Sequence, residues 1–484
     1  MERRKFVISA MAATASLPVL NALGGNKTTD ENINVKPDLL LFDQATDYEL
    51  DIKNFPEDKV ELPAQLENMR PGQVRYAIKQ SAPCLIPVGN IQSGSDNESV
   101  GWNEAIMDSL NSLHQSKSAV IAPVIWYTPT GYILNSAENG TFDMSMDAFT
   151  LYLEEVMINM VNLGFNYIHI VVVNNPQGMN SPLFACARFV VANMYNNLWK
   201  RSAYGKCWYI NPKFDGITNE HGIIDRREVF NIYSVINIER LPKVTKNKGL
   251  PGSKPMRLEN MTPTQIKDAV KRNLICFVPS GVIETHGNHN PLGVDGIESE
   301  GPLLLACAKA DAVIAPTIWY GPTGITCGDE TVGNTNIDGN IYRNYISGVL
   351  NGLTAIGFKT IVVIQVHQGK DGPQWVSTEY AIQDYHINFY KNDSKGKFGL
   401  PADIKIMTPP FAQYDHAGKI ETSWMMVYRP KNTDLSLIRP NDYSCCWRVN
   451  GESIKATYEY GKIMSDKAVD GLVEMINLHN NIKE

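Results

Sequence analysis

Along the C-terminal half of the chain, short continuous apolar runs alternate with stretches of helical periodicity. The runs are LICFVPS, AVIAPTIW, TIVVIQVH and IKIMTPP, and the helical stretches lie near 298–310, 341–356 and 375–391. Strands that are apolar on both faces, separated by helices, predict a largely parallel sheet covered on both sides, so the chain is read as α/β. Ligands of such sheets bind beyond the carboxyl ends of the strands. The residues that follow each run, Glu284, His286 and Asp295 after the first, Thr323 after the second and His367 at the end of the third, can therefore converge on one edge.

The same pattern occurs once before. LIPVGNIQSGSDNESVGWN (85–103) aligns without a gap with FVPSGVIETHGNHNPLGVD (277–295); further on, VIAPVIWYTPTG (120–131) matches VIAPTIWYGPTG (313–324) and LGFNYIHIVVVNNPQG matches IGFKTIVVIQVHQG. In register, Glu284 faces Gln92, His286 faces Gly94, Asp295 faces Asn103 and His367 faces Pro176. All four potential metal ligands are absent from the first copy, whereas the apolar strands between them survive. Joint loss points to one functional unit in the second copy and a scaffold role for the first. Trp319, Tyr320 and Thr323 recur as Trp126, Tyr127 and Thr130, which marks them as packing residues before anything else.

The expected organisation is a signal segment over 1–24, a polar extension over 25–70, a degenerate domain over 71–240, a Lys, Pro and Gly-rich connector over 241–257, and a metal-binding domain over 258–484. MERRK followed by an apolar stretch and Ala22-Leu23-Gly24 has the layout of an export signal, of the general or the twin-arginine kind, and implies an exported, periplasmic protein. The stretch is too short to be a stable membrane span.

With 484 residues and 43% hydrophobic composition, the chain can bury two substantial cores. A net charge of −7 without a lysine-arginine block argues against a nucleic-acid partner and for a small-molecule substrate. The eight cysteines contain no CxxC pair, so no thiolate zinc site is expected. Cys84, Cys276 and Cys307 sit in apolar runs and read as small core residues, while Cys445 and Cys446 are adjacent and poorly placed to bond each other.

Glu284 and His286 are two residues apart just past a strand, so in extended backbone both project to one side. The turn-rich GNHNPLG bridge lets Asp295 return to the same place. Imidazole and carboxylate donors together suit zinc, manganese or iron, and a carboxylate can bridge two ions.

These residues lie within PSGVIETHGNHNPLGVD, and together with YGPT, QVHQG and the late HAGKIETS the chain resembles the creatininase (creatinine amidohydrolase) family over about 260–470, and more weakly over the first copy. The resemblance implies two tandem creatininase-like αβα three-layer domains, the first degenerate, and a hydrolase of non-peptide amide C–N bonds. It assigns two divalent ions to Glu284, His286, Asp295 and His367, with Asp295 bridging. Gly369 stands where creatininase supplies a further glutamate, and Glu421 is the best replacement as fifth ligand.

Two cations bring the pKa of a shared water towards neutrality and polarise a carbonyl, so hydroxide attacks at ordinary pH. By motif, His416 is the proton donor to the leaving nitrogen, with Glu421 beside it in the catalytic set. The first copy retains His221 at the place of His416, which leaves a core or capping role open. His289 is expected to orient a ligand from behind, and Thr323 and Gln368 are candidate substrate contacts. A homo-oligomer or an intramolecular pseudo-dimer is expected. Two other functions stay open: a ligand- or partner-binding protein with a residual metal site, and a deformylase or peptide-processing branch of the same family.

Overall fold

In the computed structural model, which describes residues 57–92, 118–131, 140–173, 177–204, 233–238, 255–323, 333–392, 399–410, 415–438 and 453–481 together with Leu110 and Asn175, the apolar runs form two parallel sheets of five strands each. The first contains β1 (Ala64–Gln65), β2 (Cys84–Gly89), β3 (Val120–Ile121), β4 (Ile168–Val173) and β5 (Tyr233–Ile238), in the order β1-β3-β2-β4-β5. Its helices are α1 (Pro71–Lys79), α2 (Met146–Asn162) and α3 (Pro182–Tyr204). The second sheet repeats the order with β6 (Met256–Arg257), β7 (Cys276–Ser280), β8 (Val313–Ile314), β9 (Thr360–Gln365) and β10 (Asp403–Met407). Around it lie α4 (Pro263–Lys271), α5 (Val294–Lys309), α6 (Gly339–Ile356), α7 (Pro373–Asn392), α8 (Lys419–Tyr428) and α9 (Tyr458–Asn481).

Side chains alternate across a strand, and the second sheet uses both faces. Cys276, Val278, Ile361 and Val363 enter a large core with Val349 and Leu353 of α6, whereas Phe277, Val362 and Ile364 pack on Leu303 and Cys307 of α5 and on Leu472 and Ile476 of α9. That is the three-layer arrangement expected of strands apolar on both faces. Cys84, Cys186, Cys276 and Cys307 are all buried, while Cys445 and Cys446 lie outside the described residues.

Local signals set several boundaries. Asp338 caps α6 by accepting from the Asn340 and Ile341 amides, and Gly357, at φ 118°, ends it in the left-handed conformation that glycine adopts without penalty. Helix α5 is different, because it contains Gly296, Gly301 and Pro302 and still forms. A Cβ on Gly281 would lie 2.3 Å from the Gly296 amide nitrogen, and one on Gly296 would lie 2.2 Å from the Trp319 ring. Packing of the strand exit against the helix thus needs both glycines. These residues mask the periodicity, so α5 begins at Val294 rather than near 298, and Asp295 stands in its first turn rather than in the preceding bridge.

Two further expectations change. Ala64 and Gln65, assigned to a polar extension, belong to the first sheet: β1 pairs with β3, and Ala64 N donates to Ala119 O at 3.2 Å. A two-residue strand is too short to leave an alternation signal. The halves also share one core, in which Val88, Ile170 and Tyr152 cluster with Val278, Val363 and Tyr345. Leu50–Glu484 accordingly forms one compact unit rather than two separate ones. The signal segment 1–24, most of the connector 241–257 and His221 lie outside the described residues, among which no helix is long and apolar enough to cross a membrane.

Candidate metal centre

Beyond β7 the chain runs without regular structure to α5 and is held by backbone bonds from both halves. Glu284 N donates to Leu292 O (3.0 Å), Leu292 N to Met69 O (2.8 Å) and Gly293 N to Glu67 O (3.0 Å). Thr285 N donates to Asn334 Oδ1 at 2.7 Å. Within this loop His286 Nδ1 lies 3.2 Å from the Glu284 carbonyl, which makes Nδ1 the protonated nitrogen and leaves the Nε2 lone pair facing inward.

Around His286 Nε2 stand Glu421 Oε2 at 3.5 Å, Asp295 Oδ1 at 3.6 Å and Glu284 Oε1 at 3.8 Å. Two residues past β9, His367 places Nδ1 3.1 Å from both Glu284 Oε1 and Asp295 Oδ2. His416 Nδ1 is 3.5 Å from Glu284 Oε1, and its ring centroid is 4.4 Å from that of His286. Except for His416, whose side chain is 33% exposed, these side chains are buried.

Such a cluster is unstable as a set of bare charges, since burying a carboxylate costs heavily unless it is paired. Glu284 Oε1, His286 Nε2, Asp295 Oδ2 and His367 Nε2 accept or donate no hydrogen bond, because the close approaches are poorly aligned for one. Donors each about 2.0–2.2 Å from a common ion lie roughly 3–3.5 Å from one another, close to the 3.1–3.8 Å separations seen here. The atoms fall into overlapping groups: Glu284, Asp295 and His367; His286, Asp295 and Glu421; and Glu284, His286 and His416. Asp295 belongs to both of the first two. Glu284 and His286 likewise each belong to two of the three groups, so the donor set fits divalent metal with shared ligands.

The electrostatics of the cluster follow from burial and from the mutual influence of its charges. Burial works against the charged form of His367, but Glu284 and Asp295 outweigh it and raise the ring to about 10. Burial would raise Asp295, yet His367 and His286 hold it below the usual carboxylate range. Glu421 is pushed well up by burial and by Glu298, Asp415 and Asp295. His416 is pushed down to about 4 by burial and by His286, so its ring is neutral.

The segment carrying His416 and Glu421 is pinned from behind. Thr422 Oγ1 donates to Ala417 O at 3.2 Å and accepts from Asn290 Nδ2 at 2.9 Å and from His289 Nε2 at 3.0 Å. Burial pushes His289 down to about 4, so it stays neutral in this role. Ala417, at φ 52°, donates its amide to Glu421 Oε2. Asp415 caps α8 by accepting from Ile420 N at 2.7 Å and Glu421 N at 3.1 Å.

The candidate substrate contacts are placed differently. Thr323 is buried, with its amide and hydroxyl both on Asn336 Oδ1 at 2.9 and 3.2 Å. Gln368, at φ 60° beside His367, donates its amide to the Thr323 carbonyl, and its Oε1 has no partner. Gly369 is exposed, and a Cβ there would meet nothing within 4 Å. Sequence inspection missed Asp415 and the buried Glu298, whose Oε1 is unpartnered. Glu298 was detectable in principle, since it stands three residues after Asp295 and so on the same helix face once the helix start is known.

Residues 259–476 match the family model described as Creatininase: Creatinine amidohydrolase. A curated relative, the 3-dehydro-scyllo-inosose hydrolase of Thermotoga maritima, is 23% identical over 193 residues, covering 36% of this chain and 56% of its own length. The chain thus spans about half the length of that relative. Among solved structures, creatinine amidohydrolase (creatininase) aligns at 16% identity and a TM-score of 0.39 over 48% of this chain and 100% of its own. The structure named Creatininase Mn aligns at 16% identity and a TM-score of 0.41 over 47% and 99%. A mutant creatininase of Zn-Zn type gives 16% identity and 0.40 over 47% and 100%.

Proposed function

We propose, from the creatininase-family domain that residues 259–476 form, that this protein is a metal-dependent hydrolase that cleaves an amide C–N bond, cyclic amides included, in a small molecule. The observation that carries the reading is Asp295 standing in two ligand groups at once. Glu284, Asp295 and His367 would hold one cation and His286, Asp295 and Glu421 the other, with zinc, manganese and iron all matching the donors. When bound, the two ions supply an acidified water and a polarised carbonyl.

The chain's own residues do the rest. His416 is neutral and reaches the rim of the site, so it takes the proton of the attacking water and passes it to the leaving nitrogen as the C–O bond forms and the C–N bond breaks. His289 and Asp415 fix the segment that presents His416 and Glu421. Gln368 Oε1, beside His367 and without a partner, is available to a substrate donor. The N-terminal half is a duplicated copy that has lost the ligands and serves as scaffold, with its Glu67 and Met69 carbonyls holding the loop that leads to Asp295. The leader supports export to the periplasm.

Metal content of the purified protein, followed by hydrolysis assays on creatinine, other cyclic amides, formamides and 3-dehydro-scyllo-inosose, tests this. Bound metal with amide turnover is expected. Turnover of 3-dehydro-scyllo-inosose alone would move the scissile bond away from C–N, and a metal-free, inactive protein would leave the ligand-binding alternative.

A further inference from the structure

A second cavity, of about 400 Å³, lies among residues of both halves and involves none of the metal-site residues. Its volume is within the range of small-ligand sites, about 300–1,000 Å³. Both members of the repeated tryptophan pair, Trp126 and Trp319, line it, as do Asn68 and Asn260 of the two Leu-Glu-Asn-Met turns. Neither half alone would form it.

Four charged residues share this cavity, and they are not equivalent. Arg257 is fully engaged, with ion pairs to Glu259 at 2.7 Å and to Glu300 at 2.5 Å. Among the described residues Arg429 donates to neutral acceptors, Asn68 Oδ1 at 3.0 Å and the Tyr428 carbonyl at 2.8 Å, and no carboxylate lies within ion-pair distance. Glu67 lines the same cavity, and its Oε2 accepts no hydrogen bond. Thr317, 6% exposed, adds a hydroxyl without a partner. The Arg429 guanidinium and the Glu67 carboxyl thus face a common space with no close ion pair between them.

We propose that this cavity binds a small zwitterion, its carboxylate on Arg429, its guanidinium or ammonium group on Glu67, and its apolar body against Trp126 and Trp319. A guanidinium accepts a carboxylate in a fork of parallel hydrogen bonds, and tryptophan faces attract cations. A ligand with only a carboxylate would leave the Glu67 carboxyl without a partner, and one with only a cationic group would leave the Arg429 charge uncompensated, which is costly away from water. The site goes beyond the hydrolytic reading and does not depend on it.

The test uses the full-length protein, with isothermal titration calorimetry and thermal shift against 4-guanidinobutyrate, agmatine, which lacks the carboxylate, and butyrate, which lacks the guanidinium. Saturable binding of 4-guanidinobutyrate with a matching rise in Tm is expected. Agmatine and butyrate should bind at least about tenfold more weakly, a difference of about 1.4 kcal/mol. Arg429→Met and the isosteric Glu67→Gln should each weaken 4-guanidinobutyrate by a similar factor, while Glu284→Gln at the metal centre binds it as the wild type does. Should Arg429→Met not fold, Glu67→Gln carries the comparison. Absence of saturable binding, equal binding of agmatine, undiminished binding by Glu67→Gln, or loss in Glu284→Gln would each overturn the proposal.

Discussion

The rings of Tyr152 and Tyr345 stack with centroids 3.6 Å apart and planes 2° from parallel. They occupy equivalent places on α2 and α6, and their hydroxyls cross over. Tyr152 donates to the Tyr320 carbonyl at 2.8 Å and Tyr345 to the Tyr127 carbonyl at 3.2 Å, while Tyr127 and Tyr320 are themselves equivalent residues of the repeated VIAP-x-IWY segment. Reciprocal contacts of this kind define a two-fold-like interface, here within one chain.

If that pair joins the halves, its residues are energetically coupled. Tyr345→Ala should cost about 3–5 kcal/mol, as truncation of a buried aromatic does. Tyr152→Phe, which strips the Tyr320 carbonyl of its donor, should cost about 1–3 kcal/mol. A double-mutant cycle of Tyr152→Ala and Tyr345→Ala, read by denaturant unfolding, should give a coupling of about 0.5–1.5 kcal/mol. Strict additivity would show that the stacking contributes nothing beyond burial.

The two halves should differ in metal binding. Asp295→Asn, which removes a donor from both groups, should remove bound metal, as measured by elemental analysis, and Glu284→Gln should lower it, each together with hydrolase activity. Gln92→Ala, at the place of Glu284 in the first half, should leave both near wild type. Equal losses on the two sides would contradict a single centre.

Glu421 and His416 are separable by stoichiometry. Glu421→Ala should lower occupancy to one ion, since it removes a donor from the His286 and Asp295 group alone. His416→Ala should keep both ions and cut turnover by about 10²- to 10⁴-fold, the usual effect of losing a positioned acid or base. Full activity in His416→Ala would reassign the proton transfer.

Stability should fall as pH rises from about 4.5 to about 7 on account of Glu67. Burial is the main cause of its carboxyl being pushed up to about 7, so the folded state holds a proton that the unfolded state has already released. A raised carboxyl pKa contributes stability at low pH that is lost as pH climbs through this window. Glu67→Gln should therefore raise Tm relative to wild type at pH 8, by about 2–4 °C for each kcal/mol recovered, and leave it unchanged near pH 4. A constant difference at both pH values would place the effect elsewhere.

Much of the centre was legible because the chain contains its own control. Comparing Glu284, His286, Asp295 and His367 with Gln92, Gly94, Asn103 and Pro176 singles out four residues without any structure. The parallel strands were legible from continuous apolar runs such as TIVVIQVH, whose first six residues become β9. Helix α5 was harder, because Gly296 and Gly301, which pack closely on Trp319 and Tyr428, and Pro302 weaken the local helical signal. Strand β1 was illegible, being two residues long.

The sequence by itself determined the α/β class, the four-residue set and the family resemblance, because these are written in local periodicity and in residue types at short spacing. Only the tertiary structure decided that Glu421, 126 positions after Asp295, comes within 3.5 Å of His286, since that distance depends on the Asp415 cap, the left-handed turn at Ala417 and the His289 contact acting together. It alone decided that Glu67 and Arg429 share a cavity without pairing, and that Tyr152 meets Tyr345. Spacing along a chain fixes which side chains lie on one face of a strand or a helix. Which faces meet is settled by how the whole core packs.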